Sequence, residues 1–509
     1  MEAKIDATVS DLLPASALAA SDDGLRSLLQ LTEISVSEIL KLLCERNSAL
    51  PIGQPGEVEN QVLDTLPGGV LPDQGLGIAS WPELLRGFVS GSVNLAAENV
   101  AANLHAPVLA IAAAADFVAS ITNQSVDAWE SGPSGIVLER ALITALGGLL
   151  GYSANGGTLT SGSTQANLLA LLHARQRVYR SRGIRDVFSS GISHDCARPR
   201  ILASKLAHVS IKRAAGALGL GQDSVISVPV DRRNRMIPEA VADILSALND
   251  DEYPVAVVGT AGTTDFGSVD PLNQLAEIAE AHSVWFHVDA AYGGMSIFSE
   301  RGRECVKGIE RADSVSMDLH KLGWQPAPAA AMLLRDPDAA ESLDCNVVCV
   351  NPRDDEEAGY RGLFSETLQT TRRADVLKIV ASLRTLGRDG MRRLVDSCLD
   401  LADYAAARIA EHSQLCLENE PQLSVVVFHY VPSVDCVEQE RNAINVAIRR
   451  RLMRDFGSSV GRVEVVDPSG SSREFLKFTF VNPDLSRRSV DELIGLVVQA
   501  GEIEEKNFR

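Results

Sequence analysis

The sequence predicts an α/β protein built on a mostly parallel sheet. Two observations carry this. From about Leu138 to residue 335, short Val/Ile-rich runs alternate with helical patterns. The runs are almost continuously apolar, as strands buried on both faces require, rather than alternating as half-exposed antiparallel strands do.

In chain order, "RALITALGGLLGY" and "GGTLTSGSTQANLLALLHAR" open the alternating region and "PRILAS" follows. "HVSIKRAAGALGL" is amphipathic, "SVISVPV" is strand-like, and "PEAVADILSAL" returns to helical spacing. "PVAVVGTAG", "PLNQLAEIAEAH", "VWFHVDAAYGG" and "DSVSMDLHK" continue the alternation. Residues 1–103 read as a helical segment broken by the Pro/Gly-rich stretches "LPIGQPGE" and "LPGGVLPDQG". Residues 104–380 form the large domain. Residues 381–509 form a smaller α+β domain with strands "LSVVVFHYV" and "FLKFTFV". The polar segment from Asn346 to Gly362 reads as a long exposed loop, of a length more typical of a lid than of a connector.

Bulk properties narrow the function classes. The chain has 509 residues, 45% hydrophobic and 22% charged, with a formal net charge of -20. Such a charge opposes binding to nucleic acid and to anionic membranes. No apolar run reaches the roughly 18 residues of a membrane span. No secretory signal is visible at the start, so a cytoplasmic protein is expected. The eight cysteines show no CxxC and no zinc-like spacing with histidine, so reduced thiols and no metal are expected.

Five stretches place chemistry at successive strand ends, where ligands bind in open α/β sheets. In "TSGST", Gly162, Ser163 and Thr164 open a long helix and present N–H groups and hydroxyls suited to phosphate, or make a steric turn only. His208 in "AHVSIKRAA" is either structural or a flat ring for stacking. Thr260 and Thr263 lie in the turn "GTAGTTDFGS", as hydroxyl donors or as plain turn residues. Asp289 ends the apolar strand in "VWFHVDAA", where a carboxylate is costly without a cationic partner. Lys321 follows "DSVSMDLH" at another strand end, where a primary amine either reaches solvent or attacks an aldehyde. Taken together, these parts answer the needs of pyridoxal phosphate: a phosphate cradle, a stacking partner, an acid for the ring nitrogen and a lysine for the aldehyde.

These motifs resemble the group II pyridoxal-phosphate-dependent amino acid decarboxylases, and "GIERADSVSMDLHKLGWQP" and "ETLQTTRRADVLKIVASLRTLG" are most similar to the bacterial L-2,4-diaminobutyrate and related diamino acid decarboxylases. The resemblance runs from about Leu104 to Asn482. It implies a fold-type I homodimer with a seven-stranded sheet, an interface active site and an amino acid substrate. It implies three catalytic residues: Lys321 binding the cofactor, His208 stacking on its ring and Asp289 pairing with its nitrogen. Ala291 would pack on the opposite ring face. Gly162, Ser163, Thr164, Thr260 and His320 would surround the phosphate, Asp318 would lie beside the lysine, and Thr371 would reach the partner's phosphate.

The sequence departs from the family pattern in places. A loop tyrosine that returns a proton to Cα has Cys349 in its place, with Tyr360 the nearest substitute. Ile136 stands where relatives carry threonine. The expected reaction is decarboxylation to an amine and CO2. Its rivals are decarboxylation-dependent oxidative deamination, or other carbanion chemistry on the same cofactor, and a cofactor-free scaffold.

Overall fold

The computed structural model describes residues 18–45, 48–154, 156–183, 187, 191–192, 198–343, 347, 350–466 and 470–508. After helices at Asp22–Glu45, Pro55–Leu63 and Trp81–Ser90, the strands run β1 (Val100–Ala101), β2 (Gly156–Thr160), β3 (Arg198–Ser204), β4 (Val225–Val228) and β5 (Glu252–Thr260). β6 (Trp285–Asp289), β7 (Ser314–Asp318) and β8 (Ala330–Leu334) follow. Seven of these strands form one sheet in the order β2-β8-β7-β6-β5-β3-β4. The four pairings among β3 to β7 are parallel, and only β8 runs antiparallel to its neighbours β7 and β2.

Helical crossovers join the parallel strands in chain order, as the sequence alternation demands. Ser210–Ala217 links β3 to β4, Pro238–Ser246 links β4 to β5, and Leu272–Ala281 links β5 to β6. All five residues of β6 and all five of β7 are buried. Phe286 and Val288 pack into one apolar layer with Leu142, Leu146 and Val257. Trp285 packs into the other, with Leu169, Leu172 and Val258. By the two-residue period of a strand, His287 and Asp289 point with Trp285 to this second layer. The helix Ser163–Ser181 covers that layer, so its polar residues meet the strand's polar residues away from solvent.

β8 is absent from the sequence reading, because "AAMLL" has neither alternation nor β-branched residues. Four more strands complete a second sheet: β9 (Leu415–Leu417), β10 (Val425–Tyr430), β11 (Ser459–Val466) and β12 (Ser472–Thr479), in the order β1-β11-β12-β10-β9. β10 and β12 lie where "LSVVVFHYV" and "FLKFTFV" place them. β9 and β11 are additional, and β1 joins β11 in parallel. Phe428, Phe478 and Phe480 stack in the core under the helices Glu438–Phe456 and Arg487–Asn507. Each such buried ring contributes roughly 1.5–3 kcal/mol of transfer free energy.

The expected boundary between residues 380 and 381 falls inside the helical run Val376–Glu411. Its backbone is interrupted instead at Gly387, with φ 64° and ψ -176°. Among the described residues, no helix is long and apolar enough to cross a membrane.

Candidate active site

Strand register builds the site. Thr260 on β5 sits opposite Asp289 on β6, and Asp289 opposite Ser316 on β7. The sequence-named residues thus come to one row of strand ends. A cavity of about 340 Å³ opens there, within the range that binds small cofactors. Gly162, Ser163, Thr164, His208, Thr260, Asp289, Ala291, Asp318, His320 and Lys321 all line it. Thr371 does not; in this single chain it lines a smaller neighbouring cavity with Thr160 and Ser161.

The lysine turn is held from several sides. Lys321 Nζ lies 2.8 Å from Asp318 Oδ2. Asp318 is buried, and its Oδ1 accepts a 2.7 Å hydrogen bond from Ser163 N. His320 Nδ1 donates to Ala329 O at 2.8 Å, which leaves Nε2 on the Asp318 side, 3.6 Å from Oδ2. Three residues on, Trp324 has φ 54°, a strained value for a residue with a Cβ. Its buried indole donates to Val481 O at 2.8 Å, which ties the lysine turn to the segment after β12.

Asp289 is 4% exposed and richly partnered. Oδ2 accepts from Asn167 Nδ2 at 2.9 Å and Oδ1 from Ala291 N at 3.1 Å. His208, at the cavity mouth, is exposed in the single chain and has Nδ1 2.8 Å from Ser210 Oγ. Thr263 does not line the cavity; its hydroxyl meets Ser268 Oγ at 2.7 Å and closes the turn.

Two polar atoms of the cavity wall are buried with no partner: Ser163 Oγ and Thr260 Oγ1. A buried hydroxyl without a partner costs about 1–3 kcal/mol, so native proteins rarely leave one. Ser163 opens its helix with no side-chain cap. Two unspent hydroxyls, one at the start of a helix and one at the end of β5, fit a phosphate group between them. An amine and a carboxylate in the same cavity fit the aldehyde and the ring nitrogen of pyridoxal phosphate.

Sequence reasoning missed Asn167, Ser316, Tyr292 and Leu104. Asn167, Tyr292 and Leu104 line the cavity, and Ser316 donates to Asn167 Oδ1 at 2.7 Å. Asn167 had one signal: an amide set beside the apolar run "LLALL", four residues after Ser163. Cys349 lies outside the described residues. Tyr360 packs its ring edge-on against Trp129 at 6.4 Å and does not line the cavity. Ile136 is fully buried against Val126, Leu363 and Ala374, also away from the cavity. The described part of the expected loop contains one short helix, Arg353–Glu357, and a buried Asn351. A larger cavity, about 650 Å³, lies at the opposite strand ends among Arg177, Arg335 and Asp313. Both arginines are already ion-paired with Asp313. Among the described residues, Cys416, Glu418 and His429 on the β9–β10 hairpin form one grouping with metal-ligand donors, none of them in the Lys321 cavity.

Two buried histidines set an acid limit. Burial pushes His287 down to about 4, against the raising effects of Asp289 and the Ser314 carbonyl. Burial also pushes His173 down to about 4. Both nitrogen bases are neutral when folded but protonate in the unfolded chain near 6.5. Between about 4 and 6.5 the unfolded state binds more protons, so stability rises with pH across that window. Burial pushes the carboxyls of Asp270 and Glu366 up to about 7, and these work in the opposite direction over much of the same window. The histidine contribution is therefore read as a difference: the melting temperature of His173→Gln relative to wild type is expected to rise as pH drops from 6.5 to 4, and a constant difference would contradict the neutral burial of that ring.

The fold and this site define a class, the fold-type I vitamin B6 enzymes. Residues 85–431 match the family model for the pyridoxal-dependent decarboxylase conserved domain. The chain is 35% identical over 433 residues to L-2,4-diaminobutyrate decarboxylase of Rhizobium meliloti (strain 1021), covering 84% of this chain and 82% of the relative. It is 31% identical over 440 residues to the L-2,4-diaminobutyrate decarboxylase of Acinetobacter baumannii, covering 84% and 85%. Mouse CSAD has a similar structure, with TM-score 0.82 and 26% identity over 94% of this chain and 99% of that one. The glutamate decarboxylase domain of a diaminobutyrate-pyruvate transaminase and L-2,4-diaminobutyrate decarboxylase from Vibrio parahaemolyticus gives TM-score 0.82 at 25% identity, covering 95% and 97%. The chain belongs to the pyridoxal-dependent decarboxylase family, and it is an amino acid decarboxylase that uses pyridoxal phosphate.

Proposed function

We propose that the protein removes the α-carboxylate of a basic L-diamino acid, L-2,4-diaminobutyrate or a close homologue, with Lys321, Asp289 and His208 as its catalytic residues. The observation that carries the site assignment is the convergence of Lys321 and Asp289 in one cavity whose buried Ser163 and Thr260 hydroxyls are unspent. The substrate assignment is supported by the two diaminobutyrate decarboxylases that cover most of the chain.

When bound, pyridoxal phosphate supplies the electron sink for the pair left behind as CO2 departs. The rest is the work of the chain. Lys321 is the attachment point for the aldehyde carbon, and Asp318 at 2.8 Å orients its amine and shares its proton. Asp289 would hold a positive charge on the ring nitrogen, where its Coulomb attraction is strengthened by burial. His208 would cover one ring face and Ala291 the other. Ser163, Thr164, Thr260 and His320 would hold the phosphate, and Thr371 would reach toward that of a second subunit.

Replacing Ser163 with alanine, or Thr260 with valine, is expected to raise the dissociation constant for pyridoxal phosphate about tenfold or more, since a hydrogen bond to a charged group contributes about 1.5–3 kcal/mol. Titration of the apoprotein by absorbance or fluorescence checks this. Unchanged affinity in both variants would remove these hydroxyls from the cradle.

We also propose a homodimer. The helix Asp22–Glu45 leaves Leu29 72% and Leu40 63% exposed, and the following segment leaves Val70 and Leu71 almost bare. Apolar surface on this scale is normally covered, here by a second copy. The interruption at Gly387 supports a junction there between the large and small domains. The free thiols at Cys305, Cys398, Cys416 and Cys436 support a cytoplasmic location.

The deciding experiment incubates the holoenzyme with L-2,4-diaminobutyrate, ornithine, lysine, glutamate and aromatic amino acids. Amine and CO2 are expected, with highest kcat/KM for a diamino acid. Aldehyde with peroxide as the main product would replace the proposed reaction with oxidative deamination. A preference for glutamate or an aromatic substrate would overturn the substrate class.

A further inference from the structure

We propose that Asn167 is the positioning residue of this site: its amide clamps the Asp289 carboxylate and, through Ser210, fixes the proton of His208 on Nε2. The inference rests on the roles proposed above for Asp289 and His208 and deepens them.

The protons follow one by one from a single anchor. An ionised carboxylate only accepts hydrogen bonds. Asp289 Oδ2, at 2.9 Å, must therefore face the NH2 side of the Asn167 amide, not its oxygen. The second hydrogen of that NH2 reaches Ser210 Oγ at 2.9 Å. Asn167 Oδ1 is left as acceptor, with Ser316 Oγ at 2.7 Å and His287 Nε2 at 2.9 Å. Both must donate. His287 is fully buried and neutral, so a proton on Nε2 leaves Nδ1 bare. Nδ1 then accepts from Ser314 Oγ at 2.9 Å, the Ser314 carbonyl at 3.2 Å being the longer and unmatched contact, and Ser314 Oγ accepts from Trp285 Nε1 at 2.8 Å. Every donor from Trp285 onward points toward Asp289.

The second branch works the same way. Ser210 Oγ accepts from Asn167 at 2.9 Å and lies 2.8 Å from His208 Nδ1, to which its one proton is free to go. The Ser210 N–H approaches the same nitrogen at 3.3 Å. Nδ1 is thus an acceptor, and the neutral ring carries its hydrogen on Nε2, the nitrogen turned away from Ser210. One amide therefore sets the position of the acid under the ring nitrogen and the donor on the ring face. Asn167 is itself completely buried, as are His287, Ser314 and Ser316. Within this buried group no member can turn without stranding another.

The test compares three replacements of Asn167 by titrating pyridoxal phosphate into the apoprotein, with melting temperatures as a check on folding. Asn167→Asp keeps the shape but sets a second carboxylate against Asp289. Asn167→Ala removes the donor and adds no charge. Asn167→Ser keeps a small donor. The expected order of affinity is wild type, then serine, then alanine, then aspartate, with alanine weaker by about tenfold and aspartate by about 30-fold or more. A role in packing alone predicts the opposite, because aspartate fills the space and alanine does not. Aspartate binding as well as or better than alanine overturns the inference. If the aspartate variant does not fold, serine and alanine decide it: equal affinities overturn the inference, and serine nearer to wild type supports it.

Borohydride reduction of the wild-type holoenzyme separates this failure from failure of the underlying reading. A pyridoxyl label on Lys321 combined with the wrong affinity order sinks the Asn167 role alone. Absence of the label sinks the proposed site as well.

Discussion

Replacing Lys321 with alanine is expected to lower turnover by roughly 10³-fold or more, the scale seen when a covalent catalyst is removed. The same change is expected to abolish pyridoxyl labelling by borohydride while leaving measurable, weaker binding of pyridoxal phosphate. The two effects separate because different residues produce them. The cradle hydroxyls of Ser163 and Thr260 stand on other strand ends and are untouched by the substitution. Alanine has a side effect, since Asp318 is buried and loses its 2.8 Å ion partner. A buried charge without a counter-ion destabilises by several kcal/mol. Lys321→Arg answers this, because a guanidinium keeps the pairing with Asp318 but does not form the covalent link. Arginine is therefore expected to match wild type in melting temperature and alanine in activity. Wild-type turnover in a folded Lys321→Arg protein would place the covalent chemistry elsewhere.

How much of this was legible in the sequence depends on the kind of interaction. β5 and β6 were readable because burial on both faces forces largely apolar runs, β7 because "SVSMD" alternates as a strand does, and Asp289 and Lys321 stand at the ends of such runs. β8 was not, because "AAMLL" is equally at home in a helix, and only its pairing with β2 and β7 decides the matter. β9 has three residues and no pattern of its own. In the site, Lys321, Asp289, Ser163 and Thr260, which the structure brings to one cavity, were named in advance, since amine, acid and hydroxyl types stand out at strand ends. Asn167 was passed over because an amide is a common helix residue. Its importance lies in long-range partners, His287 and Asp289, more than a hundred positions away. Thr371 shows the complementary limit: it lies in the cavity next door, and its proposed role depends on a second subunit.

Replacing Asp289 with asparagine is expected to lower kcat by about 10²–10⁴-fold, with a smaller change in KM. Breaking a buried ion pair by neutralising one member costs about 3–5 kcal/mol, and each 1.4 kcal/mol is a factor of ten. The loss falls on kcat because the ring nitrogen's charge matters most when electrons flow toward it, whereas substrate binding uses other contacts. Asparagine also disturbs the pocket from behind. Its two polar atoms meet the Asn167 NH2 and the Ala291 N–H, both donors, so one of the two is left facing another donor. Asp289→Glu separates these effects, since it keeps the charge and shifts the carboxylate by one methylene. Glutamate is expected to fall between wild type and asparagine in kcat. The measurement is steady-state kinetics on protein saturated with pyridoxal phosphate, so that weaker cofactor affinity does not pass for slower chemistry. Wild-type kcat in saturated Asp289→Asn protein would mean that no positive charge on the ring is held by this carboxylate, and the polarised chain from Trp285 to Asp289 would then serve packing alone.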